Sequence, residues 1–173
     1  MYQPKQGQIW DPSVIYWKQT ESFYAVSMYS PKGNKQYPTG FLSRSSDGVH
    51  WEDVGAIAQS RPNCSWWKGF VIQRPDNSFV LNHGVYENVG RGGNDALRIL
   101  TSTNLLNWTE EATSKPDAQW YKPTRWDHMY MKPADSGGGY IGFPVSEPLN
   151  STTYASTWPG VQRSKDGITW SAT

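Results

Sequence analysis

Two aspartates in this 173-residue sequence lie in matching surroundings, each directly after a tryptophan. Asp11 follows Trp10 in WDPSVIYW, and Asp127 follows Trp126 in RWDHMYM. Two carboxylates that face one cavity can act as an acid and a base, or supply a nucleophile, as the cleavage of a glycosidic bond requires. Asp-Pro can also simply cap a loop, which is the structural alternative for Asp11. The choice between these readings depends on the elements that carry both residues.

A seven-residue pattern recurs three times, as SSDGVHW at 45–51, STNLLNW at 102–108 and SKDGITW at 164–170. An earlier tryptophan precedes the tryptophan that closes each copy by 41, 41 and 44 residues. Such regular spacing predicts one structural unit that is repeated three times. Asp-Gly is a strong hairpin signal, so we expect the heptapeptides to be turns and not sites of chemistry.

The stretches between these marks are strand-like, and none shows helical periodicity over ten residues. Runs such as SVIYW and SFYAVSMY are short, β-branched and aromatic, and the chain holds 10 Trp and 10 Tyr. Each unit is predicted to form four antiparallel strands. The sequence therefore predicts an all-β fold, a β-propeller, in one domain with blades at about 8–58, 62–115 and 120–173.

The first unit, WDPSVIYW…ESFYAVSMYS, resembles the first blade of five-bladed propeller glycosidases, namely glycoside hydrolase family 43 and relatives such as families 32, 62, 68 and 117. The third unit, RWDHMYM…GGGYIGF, resembles their third blade, and the heptapeptide resembles their blade ending. The resemblance implies about three blades of an expected five. It also implies that Asp11 is the catalytic base or nucleophile, and that Asp127 tunes the acid and contacts the sugar. His128 stands where many relatives have proline.

The resemblance places the general acid, a glutamate, near the start of a fourth blade, and this chain ends at Thr173 before that point. Glu147, late in the third unit, is either an acid or an ordinary carboxylate at the rim. An unclosed propeller would expose an unpaired strand edge, which proteins normally avoid. We therefore expect a longer parent protein, or two copies that join into a six-bladed ring, and self-association of the isolated chain.

Several further residues are candidates for holding a sugar by ring stacking or hydrogen bonding. His83 lies on a predicted strand, where it could bind a hydroxyl group or be a buried structural histidine. Alternation along a strand sends His128 to the face opposite Asp127. The candidate substrate-binding residues are Trp10, Trp66, Trp67, His83, Arg125, Trp126, His128 and Glu147.

Composition narrows the classes of partner. A net charge of +1 gives no field that would hold nucleic acid or an anionic membrane. The single Cys64 and three scattered histidines do not form a zinc pattern, so no cofactor is expected. The sequence does not decide whether a calcium ion lies on the propeller axis. A secreted or periplasmic location is consistent with the sequence if a leader was removed. Three functions remain: a glycosidase acting on a plant or algal saccharide, a non-catalytic carbohydrate-binding propeller, and a protein-interaction propeller.

Overall fold

The computed structural model describes residues 2–31, 39–57, 65–86, 96–135, 138–152 and 158–172. Cys64 and the predicted blade boundaries at 58, 62 and 173 lie outside these ranges. Among the described residues, no helix is long and apolar enough to cross a membrane.

Three antiparallel sheets of four strand positions follow one another along the chain, and we refer to them as blades 1, 2 and 3. The strands of blade 1 are β1 (Gln8–Trp17), β2 (Ser22–Ser30), β3 (Thr39–Ser45) and β4 (Glu52–Ile57). The strands of blade 2 are β5 (Ser65–Gln73), β6 (Phe79–Tyr86), β7 (Leu97–Ser102) and β8 (Thr109–Ser114). The strands of blade 3 are β9 (Tyr121–Pro133), β10 (Tyr140–Pro148), β11 (Trp158–Pro159), β12 (Gln162–Ser164) and β13 (Ser171–Ala172).

Sequential strands pair as neighbours in every blade, and in blade 3 both β11 and β12 pair with β10 in the third position. A single 3-10 turn, Lys18–Thr20, links β1 to β2 within the described part of the chain. The predicted all-β class and the predicted four-stranded antiparallel blades are confirmed.

Blade 2 is buried on both faces because it lies between the other two. Phe79 and Leu81 of β6 pack into a core with Met28 and Leu42 of blade 1, whereas Val80 faces a second core that blade 3 shares. Alternate side chains of one strand thus enter two different cores. This explains the apolar run Phe79–Leu81 at the start of β6, where each large buried side chain stabilises the fold by about 1.5–3 kcal/mol.

The three heptapeptides form the same turn, as predicted. In the first copy, Oδ1 of Asp47 accepts hydrogen bonds from the backbone N–H groups of Val49 and His50, at 2.8 and 2.7 Å. Nε1 of Trp51 donates to the carbonyl oxygen of Gly48 at 3.2 Å, which closes the turn. The matching acceptors in the other copies are Asn104 and Asp166, and the matching rings are Trp108 and Trp170.

One residue in each turn needs the left-handed backbone region. Gly48 and Gly167 have φ of 76° and 80°, which glycine adopts without a steric penalty. Leu105 stands at this position in the second copy with φ of 63°, and its side chain is fully buried in the core between blades 1 and 2. Burial of the leucine side chain therefore offsets an unfavourable backbone conformation.

Candidate functional site

The first strands of the three blades lie side by side, with β5 in contact with β1 on one side and with β9 on the other. Of these strands, β1 carries Asp11 and β9 carries Asp127. Their adjacency brings residues that are far apart in sequence to one edge of the molecule.

Each of these strands is interrupted by a β-bulge directly after a tryptophan. In β1 the pair Trp10–Met28 is followed by Ser13–Val26, so that Asp11 and Pro12 together face a single residue. Lys68 is the extra residue in β5, between Trp67 and Gly69. In β9 the bulge holds Asp127 and His128 between Trp126 and Met129.

Bulges redirect side chains and are frequent at functional sites. Asp11 and Lys68 both have positive φ, 49° and 39°, which is uncommon for residues with a side chain. Asp11 is exposed, Lys68 is half-buried and Asp127 is buried. In each blade, the residue that follows the tryptophan is charged and lies in the bulge of the first strand.

The strand that follows each aspartate is held by a side chain that bridges two blades. Oγ of Ser13, the first paired residue after the bulge in β1, accepts a hydrogen bond from the N–H group of Val71 in β5 at 3.1 Å. Met129, the first paired residue after the bulge in β9, is bonded to Asn82 of β6. Both bulges are thereby fixed against blade 2.

The imidazole of His128 responds to charges from all three blades. Burial lowers its pKa, the carboxylates of Asp127 and Asp11 raise it, and the cations Lys68 and Arg125 lower it. The bulges that hold Asp11, Lys68, Asp127 and His128 lie on adjacent strands, and we call these residues together with Arg125 the charge cluster. Nδ1 of His128 is buried and has no hydrogen-bond partner among the described residues, which leaves an unsatisfied polar atom within the cluster.

Asp127 is the best-oriented member of this cluster. Its Oδ2 accepts a hydrogen bond from Nη2 of Arg125 at 3.3 Å, and its Oδ1 accepts one from the backbone N–H group of His128 at 3.1 Å. Nδ1 of His128 lies 4.0 Å from the same Oδ1. The bulge interrupts the simple alternation from which opposite faces were predicted for Asp127 and His128.

Two of the tryptophans that were predicted to stack on a sugar lie in the core. Trp66 is 1% exposed and sits between blades 1 and 2, where a Cβ atom at position 40 would lie 3.0 Å from its ring. Trp126 is fully buried, and its Nε1 donates to Oγ of Ser114 at 3.1 Å. A stacking platform needs a ring face that is open to a ligand, and neither ring offers one. Trp10 and Trp67 are half-buried, so stacking stays a prediction for them.

His83 is buried, in agreement with the structural alternative that the sequence left open. Its imidazole lies parallel to the indole of Trp66, with ring centroids 4.0 Å apart, and Nδ1 is 3.0 Å from the carbonyl oxygen of Gly84. Burial lowers its pKa to about 4, so the ring is neutral at physiological pH. Binding of a ligand hydroxyl by His83 stays a prediction.

Glu147 is bound within blade 3. Oγ1 of Thr124 donates to its Oε2 at 2.5 Å and Nζ of Lys122 donates to its Oε1 at 2.9 Å. These two contacts, that of Thr124 above all, hold the pKa of Glu147 below its ordinary range. A general acid needs the opposite shift, so these contacts favour an ordinary structural carboxylate over the acid, and Glu147 is buried on β10 and not exposed at a rim.

Lys68 is the site residue that the sequence analysis did not single out. Its position after the second unit's tryptophan was the available signal, because it matches Asp11 and Asp127 in the repeat. No group of three or more His, Cys, Asp or Glu side chains that could hold a metal ion occurs within the described ranges.

No known protein family and no curated protein matches the sequence. Solved structures do match. A family 32 β-fructofuranosidase from Bombyx mori superposes with a TM-score of 0.76 at 15% identity, over 98% of this chain and 35% of that one. An exo-β-1,3-galactanase from Phanerochaete chrysosporium gives 0.71 at 12% identity, over 99% and 38%.

The chain has the propeller fold of glycoside hydrolases. It spans little more than a third of the length of these two enzymes, which agrees with a partial propeller. An N-acetylgalactosamine deacetylase from F. plautii also matches, with a TM-score of 0.64 at 14% identity, over 94% of this chain and 47% of that one. At these identities the likeness establishes the propeller fold, and the chemistry has to be argued from the site.

Proposed function

We propose that this propeller binds an oligo- or polysaccharide beside the bulges of β1, β5 and β9 and hydrolyses a glycosidic bond there. Asp11 is the base or nucleophile, and Asp127 contacts the sugar and tunes the acid. The observation that carries the proposal is geometric: Asp11 of blade 1 and Asp127 of blade 3 each occupy a β-bulge directly after a tryptophan, and the strand β5 that lies between β1 and β9 contacts both.

The two carboxylates differ in the way that the reaction requires. Asp11 is exposed, so it can reach a water molecule or an anomeric carbon directly. Asp127 is buried and held by Arg125, so it is suited to orienting a sugar and not to covalent attack. Two carboxylates in unlike environments are the usual arrangement for glycoside hydrolysis.

In the reaction, Asp11 either removes a proton from water as the water oxygen bonds to the anomeric carbon, or attacks that carbon itself to form a glycosyl ester, which water hydrolyses in a second step that frees the Asp11 carboxylate. The bond to the leaving oxygen breaks, and that oxygen takes a proton from a general acid. Lys68 and Arg125 bring two positive charges to the same cluster, and Arg125 donates a hydrogen bond to Asp127. Our proposal assigns the general acid to none of the described residues.

A non-catalytic carbohydrate-binding propeller is the second candidate. The engagement of Glu147 with Thr124 and Lys122 favours it, because this carboxylate is not arranged to donate a proton. The match to a deacetylase is a further reason to test cleavage of the glycosidic bond directly, since that protein's name describes removal of an acetyl group from a sugar. Self-association through blade edges also stays a prediction, and light scattering of the chain tests it.

The decisive experiment tests the role of Asp11 on substrates whose cleavage needs no general acid. Glycosyl fluorides and dinitrophenyl glycosides carry leaving groups that depart without a proton, so a base or nucleophile alone can turn them over. The assay compares the wild type with Asp11→Asn on a series of such glycosides. A reducing-sugar assay uses a β-fructan, a β-1,3-galactan and a set of soluble plant and algal polysaccharides, hereafter the polysaccharide panel.

We expect Asp11→Asn to lower turnover at least about 100-fold. Asp135→Asn is the matched control, because Asp135 is an exposed aspartate of the same charge that is bonded only to Lys132 among the contacts described. Equal turnover by wild type and Asp11→Asn would show that Asp11 is not the catalytic group. Saccharide binding without any turnover would support the binding propeller instead.

A further inference from the structure

A cleft that the proposed mechanism does not use lies at one end of blade 3. It has a volume of about 610 Å³, within the range of about 300–1,000 Å³ that is usual for ligand sites. It is formed where β9 begins, where β10 ends and at β11. The lining residues are Gln119, Trp120, Tyr121, Pro148, Leu149, Asn150, Trp158 and Pro159.

Two large aromatic rings of this cleft are exposed. Trp120 is 59% exposed and Trp158 is 64% exposed, whereas most other tryptophans of the described chain are buried or half-buried. Exposed tryptophans at a concave surface are characteristic of ligand-binding sites, since their rings bury large areas on contact. Neither ring belongs to the core that blades 2 and 3 share.

The backbone that presents these rings is well ordered by hydrogen bonds. The N–H group of Trp120 donates to the carbonyl oxygen of Asp117, and the carbonyl oxygen of Trp120 accepts from Leu149, both at 3.0 Å. Trp158 pairs with Ser146, whose Oγ donates to the Trp158 carbonyl oxygen at 2.8 Å. A surface that is already arranged before binding loses little conformational entropy when the ligand arrives.

A close backbone approach completes the cleft. A Cβ atom at position 160 would lie 3.2 Å from Cζ of Tyr121, so Gly160 leaves the space that this ring occupies. Tyr121 also contacts the buried Trp126, with ring centroids 5.3 Å apart. The aromatic wall of the cleft therefore continues into the core beneath the bulge that carries Asp127.

The chemistry of the lining residues selects a neutral amphipathic ligand. None of them is charged, and the nearby Lys122 and Glu147 are paired with each other. The aromatic rings suit the apolar faces of sugar rings, and the amide side chains of Gln119 and Asn150 can both donate to and accept from hydroxyl groups.

The cleft opens at the same end of blade 3 as the charge cluster. In the register of β9 with β10, Trp126 pairs with Ser146 and Tyr121 with Pro148, so the cleft lies a few residues beyond the Asp127 bulge. A saccharide chain that runs from the cluster toward the start of β9 would approach this cleft.

We propose that this cleft is a separate saccharide-binding subsite, which holds part of a neutral oligo- or polysaccharide outside the catalytic cluster. The ligand class rests on the proposed function. Binding itself does not require that Asp11 catalyse hydrolysis, so the two proposals can fail independently.

The test measures binding of the polysaccharide panel by native affinity electrophoresis and by tryptophan fluorescence. The variants are Trp120→Ala, Trp158→Ala, the two phenylalanine replacements at the same positions, and Asn150→Ala. Leu106→Ala is the matched control, because Leu106 is an equally exposed apolar residue in the heptapeptide turn of blade 2. Asp11→Asn and the activated glycosides are measured in parallel.

We expect each alanine replacement to weaken polysaccharide binding about five- to tenfold, and the phenylalanine variants to retain most of it. Turnover of small activated glycosides should stay at the wild-type level, because these substrates do not reach the cleft. Asp11→Asn should lose turnover and keep polysaccharide binding that depends on the two tryptophans. Trp-dependent binding in a protein without hydrolytic activity would remove the catalytic proposal and keep the subsite.

The subsite proposal would be overturned by unchanged binding in the alanine and Asn150→Ala variants, or by a wild type that binds none of the panel. It would also be overturned if a decaproline peptide bound in place of saccharides, since aromatic grooves also hold polyproline helices. If an alanine variant loses its folded circular dichroism spectrum, the phenylalanine variants and Asn150→Ala decide the question. With the tryptophan-to-alanine variants unfolded, wild-type binding by Asn150→Ala would count against the subsite, whereas weakened binding by Asn150→Ala with retained binding by the phenylalanine variants would support it.

Discussion

Asn82 bonds to both backbone groups of Met129, although the two residues lie in different blades. Its Nδ2 donates to the carbonyl oxygen of Met129 at 2.7 Å, and its Oδ1 accepts from the Met129 N–H group at 2.9 Å. Both residues are fully buried. One amide therefore satisfies two buried backbone groups and fixes β9 against blade 2, two residues after Asp127.

Replacing Asn82 should destabilise the protein strongly. We expect Asn82→Ala to lower the free energy of unfolding by about 2–4 kcal/mol, because two buried polar groups lose their partner. Urea unfolding followed by tryptophan fluorescence measures this. Asn107→Ala, at an exposed asparagine, should change the free energy by less than about 0.5 kcal/mol. Similar effects at both positions would contradict the bridging role.

The charge cluster can be tested without any substrate, by titrating His128 with NMR. Removing the negative charge in Asp11→Asn should lower the pKa of His128, and removing the positive charge in Lys68→Gln should raise it. Each change should amount to a few tenths of a pH unit, as expected for charges several ångströms apart. Lys132→Gln removes a charge farther along β9 and is the control. If neither Asp11→Asn nor Lys68→Gln moves the titration, the three bulges do not form one site.

Stability should depend on pH through His83. Burial lowers its pKa to about 4 from an ordinary value of 6.5, so the unfolded chain binds a proton in this range and the folded chain does not. This contribution is complete above pH 6.5 and is lost as the pH falls toward 4. It should cost about 2–3 kcal/mol by pH 4.5.

The measurement compares urea unfolding at pH 7 and pH 4.5 for the wild type and His83→Gln. The variant should lose less stability between the two values than the wild type does. His83→Gln should keep part of the pH dependence of stability, because burial also lowers the pKa of His128. Thr103→Ala, at an exposed position without a titratable side chain, should behave as the wild type. A variant as sensitive to acid as the wild type would refute the role of His83.

The heptapeptide turn predicts an asymmetry between two substitutions at Asn104. Its Oδ1 accepts from the N–H groups of Leu106 and Asn107, at 3.0 and 2.9 Å. Asn104→Asp keeps this acceptor, as Asp47 and Asp166 do in the other copies, and should be tolerated. Asn104→Ala should cost about 1 kcal/mol in thermal or urea unfolding. Thr103→Ala, at the exposed neighbouring position, is the control, and a loss equal to that of Asn104→Ala would exclude the turn as the cause.

The local structure of this protein was predictable because its causes lie close together in the sequence. The heptapeptide turns are made by hydrogen bonds between residues two or three positions apart, so their spacing is visible as a written pattern. The strands are visible for the same reason, since alternation and β-branched runs are local features. The three blades therefore follow from the sequence.

The burial of individual aromatic rings and the proximity of charged residues were not predictable in this way. Trp66 and Trp67 are adjacent and chemically identical, yet one is buried against Gly40 of another blade and the other is half-buried. Lys68 joins Asp11 and Asp127 because three strands from three blades lie side by side. Trp120 and Trp158 face one cleft only because the start of β9, the end of β10 and β11 lie together.

The sequence by itself determined the blades, their turns and the positions of the two candidate aspartates. Only the tertiary structure decided which aromatic rings are core and which face solvent, and which charges meet. The physical reason is that burial and charge proximity depend on contacts between residues far apart along the chain, and these contacts exist only once the blades have packed together.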